Sequence, residues 1–311
     1  MGIAVPEFEY LRRMMRNDAA IVIDEDKQYL AESRLMPLVS TEGYPSVQKM
    51  LEEMRTRPSG ELHRKVLDAM TNNETWFFRD LDPFEALRTT IISDILQRRQ
   101  TQRRLTIWSA AASTGQESFS IAMLIREHFP GLLAWDLKIL ATDISDRALQ
   151  RARQGIFSQL EVNRGLPAQL LAKYFEQEGS EWRICSPIKS MVTFRRMNLA
   201  EPWFDLPCAD IILLRNVLIY FDVEKKKEIL ARVVRALAPD GYLFLGCAET
   251  TLNLSDEFER VPCGRIFCYR LRDSKMRGIT RELQSDRRSR SELQSGSLPV
   301  LMLRRETCLR D

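Results

Sequence analysis

The chain has 311 residues, 44% of them hydrophobic, enough to bury one large core with a smaller domain beside it. Its formal charge of +3 misleads if read whole: ten of the 46 basic and six of the 43 acidic residues follow residue 270, so residues 1–270 hold 36 against 37 and no nucleic-acid binder is indicated. No apolar run approaches the ~20 residues that cross a bilayer, and the start Met1-Gly2-Ile3-Ala4-Val5-Pro6-Glu7 lacks the basic and apolar regions of a secretion signal, so a soluble cytoplasmic protein is expected.

Residues 7–70 read as helices throughout. Phe8, Leu11, Met14 and Met15 recur at helical spacing, followed by Tyr29, Leu30, Leu35 and Leu38, then Val47, Met50, Leu51 and Met54, then Leu62, Val66, Leu67 and Met70. Gly43-Tyr44-Pro45-Ser46 and Arg57-Pro58-Ser59-Gly60 punctuate them. A small helical bundle over 1–70 follows, and by itself it could serve docking or dimerisation of any kind.

The next stretch, Thr71-Asn72-Asn73-Glu74-Thr75-Trp76-Phe77-Phe78-Arg79-Asp80, does not read as helix. Two readings fit it. One is a capping loop with a buried aromatic plug; the other is a loop whose polar groups hydrogen-bond a small zwitterionic ligand while the aromatics anchor it.

A helix over 83–99 leads into regular alternation, with strands expected near 104–109, 137–143, 191–197, 209–215, 241–247 and 264–270. Helices are expected near 116–128, 145–154 and 222–238. The pattern predicts an α/β domain over 71–270, a mostly parallel sheet covered on both faces, with its last pair antiparallel because the loop between them is too short for a crossover.

The first unit carries the strongest signal. The strand Leu105-Thr106-Ile107-Trp108 breaks into the small-residue turn Ser109-Ala110-Ala111-Ala112-Ser113-Thr114-Gly115 and then into an apolar helix. Small side chains let a backbone turn tightly and let a ligand reach its amides, and the helix start offers unpaired N–H groups, a nucleotide-type pocket at the carboxyl end of a parallel strand. The second strand ends in Asp143, which suits either the two hydroxyls of a ribose or the cap of the helix starting at Ser145-Asp146. A nicotinamide dehydrogenase would want G-x-G-x-x-G in the first turn, which Ala111 to Gly115 does not supply.

Alternation is interrupted over about 156–190. Pro167 to Phe175 predicts a short helix, and Glu181-Trp182-Arg183-Ile184-Cys185 with Met191-Val192-Thr193-Phe194 a small hairpin extension. Residues 271–311, rich in Arg and Ser with an Arg281 to Ser285 and Ser291 to Ser295 echo, predict a disordered tail. The six cysteines (Cys185, Cys208, Cys247, Cys263, Cys268, Cys308) show no C-x-x-C spacing, and His63 and His128 lie far apart, so neither a disulfide framework, a metal site nor a histidine triad is expected.

Four stretches taken together resemble the CheR-type chemotaxis receptor methyltransferases: Asn73 to Arg79, Trp108 to Glu117, Ala141 to Ile144, and Arg215-Asn216-Val217-Leu218-Ile219-Tyr220-Phe221-Asp222. The resemblance covers about residues 8–270. It implies an N-terminal all-α domain, a class I (Rossmann-like) methyltransferase domain, and transfer of a methyl group from S-adenosylmethionine to glutamate side chains of a chemoreceptor's cytoplasmic helical domain. The products are a glutamate methyl ester and S-adenosylhomocysteine, with no metal, and the protein is expected to be a monomer.

By that resemblance Asn73, Thr75, Arg79, Glu117, Asp143, Asn198, Leu199, Arg215 and Asn216 match cofactor contacts. Arg79 lies near the methionine part, Glu117 near its ammonium, and Asn198-Leu199 at the adenine. Arg79 and Tyr220 match positions beside the transferred methyl; a core aromatic within Leu218-Ile219-Tyr220-Phe221 is the lesser alternative for Tyr220. The chemistry suits this equipment, since a glutamate with an unperturbed pKa of about 4.3 is already ionised and needs no general base.

The chain departs from the family pattern in two places. On the second helix Lys27 and Arg34 are candidate receptor-docking cations on one face, but the later basic positions are apolar or proline. The insertion from Glu176 to Phe194 looks shorter than in members that grip a receptor's C-terminal pentapeptide, so independence from that tether is expected. A protein that binds S-adenosylmethionine for regulation, with little turnover, is the alternative.

Overall fold

In this computed structural model, residues 3–56 and 60–273 are described, so all but the first three residues of the expected tail lie outside them. The helical periodicity near the N-terminus resolves into α1 (Val5–Ala19), α2 (Gln28–Glu42), α3 (Val47–Thr56) and α4 (Glu61–Met70). Their apolar stripes meet in one core in which Leu11, Met15, Leu35, Met50, Leu51 and Val66 are fully buried. Helix α1 stops at Ala20 and α2 at Gly43, both left-handed (φ 55° and 73°), and each returns its N–H to a carbonyl of the last turn. The segment between α1 and α2 reaches across to the other domain, where Ile21 bridges Phe221 and the Val22 N–H donates to Tyr220 O (3.0 Å).

After the polar loop, α5 (Asp82–Ala86) runs through a π turn (Leu87–Ile91) into α6 (Ile92–Arg98). The strands are then β1 (Arg104–Ala110), β2 (Asp136–Asp143), β3 (Ile156–Ser158), β4 (Phe175–Glu178), β5 (Glu181–Ile184), β6 (Val192–Arg196), β7 (Ala209–Leu214), β8 (Leu237–Leu245), β9 (Phe258–Cys263) and β10 (Ile266–Leu271). Seven of them form one sheet in the order β6-β2-β1-β7-β8-β10-β9. The first five of that order run parallel, and β10 joins β8 antiparallel with Tyr269 opposite Leu243, as the short connection required.

Helices cover both faces. Along β1, Leu105 and Ile107 pack with Phe119 and Ile121 of α7 (Gln116–His128), while Trp108 and Ala110 pack with Leu230 and Val233, residues of a long helix (Val223–Ala236) on the opposite side. Strand β7 is buried along its whole length, which is why it reads as an apolar run from Ile211 to Leu214. The strand order reverses between β1 and β7, and the carboxyl ends of β1, β2, β6 and β7 open a crevice there.

Three sequence expectations need correction. The insertion is not a hairpin of 181–185 with 191–194. Strand β5 pairs instead with β4 and β3 in a separate antiparallel sheet of order β3-β5-β4, and Val192–Arg196 joins the main sheet beside β2. The intervening helices are α8 (Asp146–Gln154), α9 (Gln159–Asn163), α10 (Ala168–Tyr174) and α11 (Ser186–Lys189), with the long helix Val223–Ala236 as α12. Strand β9 was not foreseen, because Phe258-Glu259-Arg260-Val261-Pro262-Cys263 mixes charges with a proline that only an edge strand tolerates. That pairing also brings Cys263 and Cys268 together as a disulfide across the β9–β10 hairpin, where no cysteine pair was expected.

Candidate active site

The turn after β1 is built from left-handed residues: Ala111 (φ 57°), Ser113 (φ 51°) and Gly115 (φ 93°). Gly115 has a second constraint, since a Cβ there would meet Phe119, Ala152 and Phe194 at 3.0 to 3.2 Å. Helix α7 therefore begins with no side-chain cap over its first N–H groups.

Asp143 closes the turn from β2. Its Oδ2 accepts the Ser113 N–H (2.8 Å) and its Oδ1 the Ser145 N–H (2.9 Å), locking the ends of β1 and β2 together. The cap of α8 is Ser145, whose hydroxyl accepts the Ala148 N–H, so capping does not consume the Asp143 carboxylate. A carboxylate offers about four acceptor positions, and these backbone bonds do not fill them all. Burial pushes the Asp143 carboxyl above its ordinary pKa, and the N–H groups of Ser145 and Ser113 pull partly against that rise.

Glu117 follows one turn later. The Ser109 hydroxyl donates to its Oε1 (2.8 Å) and Arg215 Nη1 to its Oε2 (2.8 Å). Arg215, at the end of β7 with a side chain 2% exposed, also donates through Nη2 to Asp80 Oδ2 (2.7 Å) and Arg79 O (2.8 Å). A buried guanidinium is thus shared between two carboxylates, which also fixes the loop before the sheet to the end of β7. That loop holds three residues with positive φ, Phe78, Asp80 and Leu81, whose strain the ion pair offsets.

Both readings of the aromatic loop hold in part. Phe77 and Phe78 are buried, Phe77 meeting Phe157 and Phe175 edge to face at 5.0 and 5.6 Å, so these rings plug the core and do not anchor a ligand. Trp76 instead supports two cations, Arg79 at 4.3 Å and Arg164 at 3.9 Å from its ring centre. The polar side chains Asn73, Thr75 and Arg79 face a cavity of about 320 Å³. Arg79 Nη1 donates to Glu74 O (3.0 Å), and its Nε is buried with no partner among the described residues.

All twelve residues singled out in the sequence line this one cavity: Lys27, Arg34, Asn73, Thr75, Arg79, Glu117, Asp143, Asn198, Leu199, Arg215, Asn216 and Tyr220. Tyr220 is not a core aromatic; it sits on a 3-10 turn, Leu218–Tyr220, partly exposed, and Asn72 Nδ2 donates to its hydroxyl (2.7 Å). Asn198 Nδ2 donates to Asp18 O (2.6 Å) and Glu201 Oε1 (2.9 Å), so this amide ties α1 to the end of β6. Arg34 Nη1 is spent on Met70 O (2.7 Å), and Lys27 pairs with Asp26 (3.2 Å).

The sequence reading missed Asn72, Ser113, Asp80 and Glu249. Asn72 and Asp80 stand inside the stretch already marked as functional, whereas Glu249, in the loop after β8, carries no local signal at all. Taken together the lining has an acidic end (Glu117, Asp143), an apolar wall (Ile144, Met197, Leu199, Val217) and an orphaned Arg79 nitrogen. This fits a ligand with a flat ring, a sugar and an amino-acid group, in a volume usual for small-molecule sites.

Comparison with known proteins agrees with this chemistry. The chain matches the family described as "CheR methyltransferase, SAM binding domain" over residues 73–267 and "CheR methyltransferase, all-alpha domain" over residues 6–71. It is 39% identical to chemotaxis protein methyltransferase Cher2 of Pseudomonas putida over 267 residues, spanning 85% of this chain and 97% of that protein. With chemotaxis protein methyltransferase 1 of Pseudomonas aeruginosa the identity is 39% over 274 residues, 87% of this chain and 99% of that one. A TehB-like SAM-dependent methyltransferase structure from Corynebacterium glutamicum covers 71% of this chain and 97% of its own at 13% identity, with a TM-score of 0.35, too distant to add to the assignment.

Proposed function

The chain belongs to the CheR methyltransferase family, and from that premise we propose that it esterifies glutamate side chains on the cytoplasmic helical domain of a chemoreceptor. It is an S-adenosylmethionine-dependent methyltransferase of chemotaxis; the glutamate acceptor is the finer reading. The observation that carries it is the gathering of all twelve residues, from six separate stretches, around one cavity at the switch point of the sheet.

When bound, S-adenosylmethionine supplies a methyl group on a sulfonium, which an attacking carboxylate oxygen takes as the carbon–sulfur bond breaks. The chain's own residues hold and dry the site. Asp143 takes the sugar hydroxyls, Glu117 accepts from the ammonium, and Asn73, Thr75 and Arg79 hold the amino-acid part. Leu199 covers the ring while Asn198 and its backbone border the ring's polar edge, and Arg215 with Asn216 closes the far side. Tyr220, on the cavity wall, would border the methyl-bearing end of the donor. No side chain needs to remove a proton, so catalysis comes from alignment and from excluding water from two charges that cancel in the transition state.

Lys27, in an exposed pair with Asp26, is the cation of that face left to meet an acidic receptor helix, whereas Arg34 serves chiefly to hold α2 against α4. Independence from a receptor-tail pentapeptide is part of the same proposal and rests on the short insertion between Glu176 and Phe194, whose edge strand β4 is polar and exposed. Calorimetry with such a peptide should show no binding, and micromolar binding would overturn this point. The main test is incubation with methyl-labelled S-adenosylmethionine and receptor cytoplasmic fragments. Base-labile release of labelled methanol is expected; base-stable label, or donor binding without transfer, would favour N-methylation or a regulatory binding protein instead.

A further inference from the structure

Glu249 lies outside the cavity, yet the backbone donors of two lining residues, Asn216 and Ile219, converge on it together with that of Gly246. Its Oε2 accepts the N–H groups of Asn216 (2.7 Å) and Gly246 (2.7 Å), and its Oε1 that of Ile219 (3.3 Å). Residue 246 must be glycine for this to occur, because a Cβ there would stand 2.7 Å from both Glu249 Oε2 and Asn216 Nδ2. The loop so gripped starts with Asn216 in the left-handed region (φ 58°) and carries Tyr220 on one 3-10 turn, too short to hold its own shape. Its other fastenings are the Val22 N–H on Tyr220 O and Asn72 on the Tyr220 hydroxyl, both from outside the loop. A carboxylate suits the task, since its two oxygens accept several N–H groups at once and strengthen each bond by their charge.

We propose that Glu249 is a positioning residue for methyl transfer, acting through the Asn216–Tyr220 loop to set the Tyr220 hydroxyl and the Asn216 backbone against the reacting methyl. This rests on the proposed receptor-esterifying activity. It assigns a role to the loop after β8, which does not line the cavity.

The test compares Glu249→Ala, Glu249→Gln, Tyr220→Phe and the Glu249→Ala/Tyr220→Phe double variant. For Glu249→Ala, kcat should fall roughly 10- to 100-fold while the Kd for S-adenosylhomocysteine changes less than about threefold; the double variant should be within about threefold of Tyr220→Phe alone, because both act as one unit. Glu249→Gln, which keeps one good acceptor, should recover most of the rate, and it carries the test if the alanine variant folds poorly. Amide exchange at Asn216 and Ile219 should quicken in Glu249→Ala. An unchanged kcat, losses that multiply in the double variant, or unchanged exchange would each overturn the proposal. If the wild-type chain forms no receptor ester, the acceptor reading fails separately, and the exchange arm still decides whether Glu249 holds the loop.

Discussion

Asp143 joins local folding and ligand chemistry in one carboxylate. Its backbone bonds to Ser113 and Ser145 are made without a ligand, and burial raises its pKa above the ordinary aspartate value of about 3.9. The sign follows directly. A raised pKa means that the folded state without donor favours the protonated form, so this group contributes stability below its ordinary pKa that is lost as pH rises through the raised one. Donor binding needs the ionised form. Affinity for S-adenosylhomocysteine should therefore be level above the raised pKa and fall about tenfold per pH unit below it, beginning higher than for an exposed aspartate. Calorimetric titration across pH checks this, and affinity flat to below pH 4 would contradict it. The acid was legible because it ends an apolar strand, and its rival reading as a cap was settled only when Ser145 took that place. Glu249 was illegible: it meets Asn216 through the fold, 33 residues away, and nothing beside it in sequence says so.

Among elements, the aromatic loop and the insertion depend on each other. Gly165, left-handed at φ 84°, lies where a Cβ would run into the Phe77 backbone carbonyl, so the chain after α9 passes directly beneath the loop that carries Asn73, Thr75 and Arg79. Gly165→Ala should cost on the order of 2–3 kcal/mol from strain and overpacking. It should also weaken donor binding, since relief requires moving that loop. Thermal unfolding and titration together check it; an unchanged melting temperature would mean that the contact relaxes freely. The alternating sheet was readable because parallel strands buried on both faces are continuous apolar runs, as in Ile211 to Leu214. The β3-β5-β4 sheet was misread because its strands, such as Phe175-Glu176-Gln177-Glu178, are short and polar and pair according to distant partners. A second structural tie, Arg99 bridging Asp210 and Asp240, joins the end of α6 to β7 and β8. Arg99→Ala leaves the buried Asp210 without its cation and should cost about 3 kcal/mol, read by denaturant unfolding.

Across the molecule, the helical bundle supplies part of the cavity wall. Ala19, Ile21, Val22, Lys27, Ala31 and Arg34 face the same space as the sheet residues, and the Ile21–Phe221 bridge fastens the two parts beside Tyr220. Receptor docking belongs to this scale. Lys27→Glu should raise the KM for a receptor fragment by no more than about fivefold at physiological salt, since one exposed ion pair is worth up to about 1 kcal/mol. A rise beyond tenfold would show that α2 docks the receptor as a major surface. The measurement that bears most directly on the account is calorimetric titration of the chain with S-adenosylhomocysteine, alongside Asp143→Ala. One site per chain is expected, weakened about 10- to 100-fold by the loss of two charge-assisted bonds in the variant. No binding to the wild-type chain, or equal binding to both, would contradict the placement of the donor in this cavity.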